Sequence, residues 1–244
     1  MKHANSLMKA IKNISFVLAL GVCLTACGPS DKQLAEQAEK TRMECLDKLC
    51  PGDVEPKRDM ATEVALKLNG KWYVGPKEYF NGYDGRTGFE WWEHKPVSAG
   101  MKRPPEMQAL AVEGKGYDFS IEIFLGTPKQ EVSGKSMYQA LLAMEAKGMV
   151  LEKQNLRPGL QVWRTREEDR LPETWYVATS LREPGGDPPT IACRGDDPTY
   201  YRCNTGFRWR PDVAASMRFR ATHGPDWPEI YLETARILNL LRKA

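Results

Sequence analysis

The chain has 244 residues with 35 Lys and Arg against 32 Asp and Glu, and its formal charge of +3 is accounted for by Lys2, Lys9 and Lys12, because residues 1–26 contain no acid. The remainder is electrically balanced, which argues against a dedicated nucleic-acid binder, since such a protein needs a basic excess to displace counterions from phosphate. It argues equally against a polybasic membrane-surface segment. The length suffices for one large or two small domains with a real core.

Residues 14–27 form an apolar run that ends Leu24-Thr25-Ala26-Cys27 and follows a basic start. Such a run is a secretory signal, too short to span a bilayer as a stable helix. Its end resembles the lipobox of bacterial lipoproteins. That resemblance implies cleavage after residue 26, a diacylglycerol on the Cys27 thiol, and a further acyl chain such as palmitate on the freed amine. Three chains exceed the two-signal requirement for stable anchoring. Gly28, where an aspartate is absent, implies by the same resemblance the periplasmic face of the outer membrane.

The expected organisation is a signal peptide over 1–26, a lipidated tether with a short helix over 27–60, and a globular domain over 61–244. Export makes disulfides the natural use of Cys45, Cys50, Cys193 and Cys203. Three connectivities are open, and the cheapest is local, Cys45 with Cys50 and Cys193 with Cys203. The first pair requires the helix to end near Cys45, because five residues of helix rise about 7.5 Å, beyond the usual Cα separation of a disulfide. A four-cysteine zinc site is the competing reading, disfavoured because neither pair has the two-residue spacing of structural zinc.

From residue 63 short strands are predicted at 64–68, 71–74 and 89–92, the first two joined by Asn69-Gly70, a hairpin signal whose residues tolerate positive φ. Residues 77–88 read as a loop, and 95–106, rich in Pro, Gly and Lys, as an exposed connection. Residues 117–125 alternate, with Tyr117, Phe119, Ile121 and Ile123 on one face of a half-buried strand. Residues 136–147 form an amphipathic helix, with Ser136 and Gln139 as a capping box and Gly148 closing it. Further strands are predicted at 150–152, 160–166, 174–180 and 190–193. Residues 207–210 and 217–220 repeat one alternation, with Arg208, Arg210, Arg218 and Arg220 outward. A last helix covers 228–242. The fold class is α+β: antiparallel sheet or sheets with about two packed helices. Two similar lobes dividing near 148–155 are the alternative to a single domain.

No catalytic, metal or cofactor site is expected. Gly134-Lys135-Ser136 lacks the first glycine of a phosphate loop, since position 129 is Lys129, and reads as a helix cap. His94 and His223 are assigned structural or surface roles, and no Gly-x-Ser-x-Gly or His-Glu-x-x-His motif is present. The adjacent acids Glu167-Glu168 and Asp196-Asp197 read as solvated. Surface for protein recognition is expected at Trp91, Trp92, Arg208 and Arg210, and at Asp196, Asp197, Tyr200 and Tyr201 within a loop held by the second disulfide.

The segment 68–80, Leu-Asn-Gly-Lys-Trp-Tyr-Val-Gly-Pro-Lys-Glu-Tyr-Phe, followed by Gly88-Phe-Glu-Trp-Trp92, resembles periplasmic immunity lipoproteins that protect against type VI secretion phospholipase effectors. The resemblance implies no enzyme activity, and a membrane-anchored protein that binds a toxic effector and blocks its active site. A structural or assembly lipoprotein of the outer membrane is the alternative, and an unrecognised envelope hydrolase the second.

Overall fold

The computed structural model describes residues 30–80, 85–97, 102–128, 136–166, 172–194 and 202–244, with the backbone alone at 116 and 117. The signal segment, Cys27, Glu167, Glu168, Asp196, Asp197, Tyr200 and Tyr201 lie outside the described residues. The chain divides into two units, Met1–Glu44 and Cys45–Ala244.

In the first unit, α1 spans Asp31–Glu44 and buries no side chain. It is held by local terms. The Gln33 amide donates to Ser30 Oγ at 3.3 Å, and the Ser30 amide to Gln33 Oε1 at 2.9 Å, a reciprocal cap. Arg42 pairs with Glu39 one turn earlier at 2.7 Å.

The second unit contains β1 (Glu63–Leu68), β2 (Lys71–Pro76), β3 (Arg86–Trp92), β4 (Lys95–Val97), α2 (Pro105–Val112), β5 (Ser120–Gly126), α3 (Met137–Ala146), β6 (Val150–Arg157), β7 (Leu160–Thr165), β8 (Glu173–Ala178), β9 (Thr190–Arg194), β10 (Arg202–Arg210), β11 (Val213–Arg220), α4 (Trp227–Leu238) and β12 (Arg242–Lys243). Nine strands form one antiparallel sheet in the order β4-β3-β5-β11-β10-β9-β8-β7-β6, and β1-β2-β12 form a second. The class is α+β with antiparallel sheets, and the described residues hold four α-helices, more than the two expected. Residues 148–155 mark no division, because strands from both sides of them belong to the same sheet.

Alternation along the strands makes one face of the large sheet continuously apolar. Phe89 and Trp91 of β3, Ile121, Ile123 and Leu125 of β5, Met217 and Phe219 of β11, Phe207 and Trp209 of β10, and Ile191 of β9 are buried in one cluster. Leu66, Leu68 and Tyr73 of the small sheet join it, as do Trp227, Ile230, Tyr231 and Ile237 of α4. On the opposite face a smaller cluster forms only where α3 lies over the sheet: Leu141 of the helix packs with Trp163, Trp175, Val177 and Ala192. Of the arginines read as outward, Arg208, Arg218 and Arg220 occupy the part of that face beyond the helix, whereas the bulge in β10 sets Arg210 opposite the core residue Val213 and over the Tyr73 ring, at 5.2 Å.

Several expectations take a different form. Asn69 and Gly70 do make the β1–β2 turn, at φ +49° and +72°. A second two-residue turn, Glu93-His94 at φ +47° and +62°, joins β3 to β4, so residues 95–97 are paired and not merely a connection. Pro104 at the N-cap and Pro105 at the first position start α2 within the stretch read as exposed coil. The last helix stops at Leu238; Leu241 is buried, and Arg242 and Lys243 pair with Val74 and Tyr73 of β2. The chain there gains sheet hydrogen bonds that a longer helix would forgo.

The second unit starts at Cys45, earlier than the expected boundary at 61, because 45–53 docks on β1 and β5. The Gly70 amide donates to the Leu46 carbonyl at 2.8 Å, and Asp47 accepts from the amides of Asn69 at 2.8 Å and Thr127 at 2.7 Å. Lys67 bonds Asp53 at 2.7 Å. Both local disulfides are present, Cys45–Cys50 with Cα atoms 5.8 Å apart, after α1 has ended, and Cys193–Cys203 joining directly paired positions of β9 and β10.

The second disulfide closes a short loop between buried strand positions. Replacing both cysteines, Cys193→Ala with Cys203→Ala, is expected to lower unfolding free energy by about 2 to 3 kcal/mol. Urea unfolding of the two forms checks this, and an unchanged midpoint would show that the bridge stabilises nothing.

Candidate functional site

A groove of about 370 Å³ opens where four segments meet: the chain leaving β5 at Pro128, the N-cap of α3 at Ser136, the loop between β8 and β9, and the β10–β11 hairpin. The β8–β9 loop closes on itself. The Glu183 amide donates to the Asp187 carbonyl at 2.8 Å, and the Gly186 amide to the Glu183 carbonyl at 2.9 Å, with Gly186 at φ +91° where a side chain would be strained. Asp187 is tied to α3, accepting from Ser136 Oγ at 2.6 Å and from Gln139 Nε2 at 3.0 Å. Ser136 also caps its helix, accepting from the Gln139 amide at 3.2 Å. The expected capping box is therefore half made: the glutamine side chain reaches across to the loop.

Glu183 is the unusual group in this wall. Its side chain is 93% buried by its 7% residual exposure, and its Oε1 has no hydrogen-bond partner among the described residues. Burial, with a smaller contribution from the charge of Asp187, pushes its carboxyl up to about 8. Burial also raises the Tyr231 phenol to about 12, and the nearness of Glu183 adds to that. A carboxyl in this state is a hydrogen-bond donor at neutral pH. A raised pKa inside a concave site is a marker of function, although a structural group can show it too.

The groove is also lined by Arg208 and Arg210, at a bulge in β10 where the pairing with β11 shifts register. Arg208 is exposed and makes no hydrogen bond or ion pair among the described residues. Arg210 is engaged within the protein: its guanidinium lies 4.2 Å from the Trp209 ring centre and donates to the Leu241 carbonyl at 3.0 Å. Of the arginines read as outward, Arg218 pairs with Glu122 at 2.6 Å and Arg220 with Asp118 at 3.1 Å. Arg208 therefore keeps its charge available to a ligand.

The aromatic candidates separate. Trp91 is 1% exposed and donates its indole N–H to Asp226 at 2.8 Å, so it is a core residue and is corrected from the surface role expected of it. Trp92 points to the other face of β3, half-buried, edge-on to Phe119. Asp226 also bonds His94 Nδ1 at 2.8 Å, and His223 Nε2 meets the Asp118 carbonyl at 2.6 Å, its pKa lowered by burial. Both histidines thus fasten neighbouring elements to the start of α4. His223 lines a second, smaller hollow of about 210 Å³ walled by Trp91, Trp92 and Phe119.

Sequence reasoning missed Glu183 and Asp187. Residues 183–189 read Glu-Pro-Gly-Gly-Asp-Pro-Pro, a composition of exposed loops, and nothing in it marks one of its acids as buried.

The pKa of Glu183 sets a pH dependence. Its folded value lies above the unfolded one, so the folded state binds the extra proton and stability falls as pH rises from the ordinary carboxyl range through about 8. Relative to Glu183→Gln, the parent chain is expected to lose about 2 to 4 kcal/mol between about pH 4 and about pH 8. Parallel urea curves for the two proteins over this range would contradict the buried neutral acid.

The chain matches no protein-family model and no curated protein. Among solved structures it is similar to the iron-regulated outer membrane lipoprotein FrpD of Neisseria meningitidis, at 12% identity and a TM-score of 0.45, over 77% of this chain and 95% of that one. A likeness of this degree fixes neither family nor function.

Proposed function

We propose that this chain is a lipid-anchored envelope protein that acts by binding. Cys27 would hold it in the outer membrane, facing the periplasm, while the groove beside β10 receives the partner. One observation carries the proposal: Arg208, exposed and without an ion pair among the described residues, lines a groove whose wall is largely apolar. A guanidinium in this state can pair with an acidic group of a partner through charge-assisted hydrogen bonds. Much of the wall is already braced through Asp187 and Arg210, which reduces the ordering cost of association.

In its finer form the proposal is an immunity protein that covers the active site of a toxic secreted phospholipase. Here the resemblance of 68–80 adds little, since Tyr73, Val74 and Phe80 are buried and serve the core. The alternative, a structural or assembly lipoprotein of the outer membrane, uses the same groove on a different partner.

Two variants test the proposal in cells. Cys27→Ala is expected to move the chain from the membrane fraction to the soluble fraction, and retention in the membrane would remove the lipid anchor. Affinity purification of the acylated chain, followed by mass spectrometry, identifies what it holds. Arg208→Glu is expected to reduce recovery of that partner at least tenfold at unchanged thermal stability. A lipase-like partner whose activity falls on mixing supports the immunity form, and envelope assembly components support the alternative. Equal recovery with Arg208→Glu would place binding elsewhere.

A further inference from the structure

We propose that the outer face of the large sheet, along β10 and β11 beside α3, docks an acidic helix of a protein partner. The inference rests on the reading of the groove as a binding site and names what lies across it. Strand pairing places Arg202, Asn204, Gly206 and Arg208 of β10 in one row, with Ser216 and Ala214 of β11 beside Gly206 and Arg208, on the face turned away from the main core. Asn204 and Ser216 are exposed, and a Cβ on Gly206 would meet only the Ala215 carbonyl, at 3.9 Å. The row is therefore a bare, shallow floor. Its arginines are unequally engaged: Arg194 pairs with Glu173, Arg218 with Glu122 and Arg220 with Asp118. Arg202 and Arg208 are exposed and make no ion pair among the described residues, so the row carries a cationic group at each end.

The occupant is a helix because β10 is already paired on both edges, by β9 and β11, so a segment lying on its face must satisfy its own backbone groups. The same face shows the pattern where the chain covers it. Over β7, β8 and β9 it is covered by α3, whose Leu141 packs on Trp163, Trp175 and Ala192. Packed helices lie about 8 to 10 Å apart, which two strand spacings of about 4.8 Å match. A helix laid beside α3 therefore falls over β10 and β11. The charge of the occupant follows from the two arginines, whose Cα atoms six residues of strand set about 20 Å apart. One face of a helix presents residues about 11 or 14 positions apart, a rise of about 17 to 21 Å. Acids at such a spacing reach both guanidiniums through charge-assisted bonds. The groove at the Arg208 end, about 370 Å³, receives an apolar side chain of the same helix. A lipid surface fits less well, because anionic membranes are held by clusters of about four to eight basic residues.

A benzophenone amino acid in place of Ser216, carried by the full chain in cells, reports what lies on this floor, with Val54, 83% exposed, as the comparison position. Mass spectrometry of the cross-linked product is expected to show one protein segment with acids about 11 or 14 residues apart, captured from Ser216 and not from Val54. A synthetic peptide of that segment, titrated by calorimetry into the acylated chain in detergent, should bind at least fivefold more weakly to Arg202→Glu and to Arg208→Glu. It should regain affinity for Arg202→Glu when its facing acid is changed to arginine, and it should gain helical circular dichroism on binding. A lipid or glycan product, a segment without acids, no product from Ser216, or a peptide indifferent to Arg202 overturns the inference. If affinity purification loses the partner with Arg208→Glu but keeps it with Arg202→Glu, the docked helix fails and the groove stands; if neither variant loses it, both fail.

Discussion

Burial of Trp227 at the start of α4 is the constraint on which the remaining architecture depends. Its side chain is fully enclosed, with the rings of Phe219 and Tyr231 at 6.2 and 5.6 Å. The indole N–H donates to the Pro189 carbonyl at 2.9 Å, and that carbonyl also accepts from the Ala178 amide at 2.9 Å. The helix is thereby fixed on the sheet and to the exit of the β8–β9 loop together. Truncating a buried tryptophan typically costs about 3 to 5 kcal/mol, and here the loop that carries Glu183 and Asp187 would lose its anchor as well. One residue earlier, Asp226 accepts from Trp91 and meets His94, which brings the β3–β4 hairpin to the same point. Two adjacent residues thus gather elements from both halves of the chain. Gly224 belongs to this arrangement, because a Cβ there would lie 2.2 Å from the Tyr176 ring.

The position of the groove follows from how the second face of the large sheet is covered. Over β7, β8 and β9 that face is dry, filled by Trp163 and Trp175 beneath α3. Over β5, β11 and β10 it carries Glu122, Arg218 and Arg208. The N-cap of α3 at Ser136 marks the boundary, and Asp187 binds the helix start to the loop there. A cleft at that boundary has apolar surface on one side and charge on the other, the combination a small ligand site needs. The bulge at Arg208 and Arg210 adds to this by turning Arg210 back over the Tyr73 and Trp209 rings while Arg208 keeps to the outer face.

What could be read in the sequence is what local chemistry decides. The alternation of β10 and β11 predicted which residues enter the core, Asn69-Gly70 its hairpin, Ser136 its cap, and the spacing of Cys45 and Cys50 the end of α1. What could not be read depends on partners distant in the chain. Residues 95–97 and 242–243 are strands because β3 and β2 offer them an edge, and no propensity in three or two residues announces that. In Trp91-Trp92 alternation says only that one ring faces inward; the choice was fixed by Asp226, 135 residues away. Glu183 is the extreme case, buried beside Tyr231 of α4, 48 residues away in the chain.

The two acids of the β8–β9 loop show how such a site is made from ordinary parts. Asp187 lies where the helix cap and a glutamine amide supply donors to both its oxygens. Four residues earlier the same loop turns Glu183 inward, where its Oε1 receives none. A carboxylate buried without donors costs several kcal/mol, whereas a neutral carboxyl costs only the hydrogen bonds that it leaves unmade. The protein meets the smaller cost by keeping the proton. That choice leaves a neutral carboxyl buried in the wall of the groove that Arg208 also lines. The charge of the groove wall is therefore set by burial within the loop as much as by the residues the wall exposes.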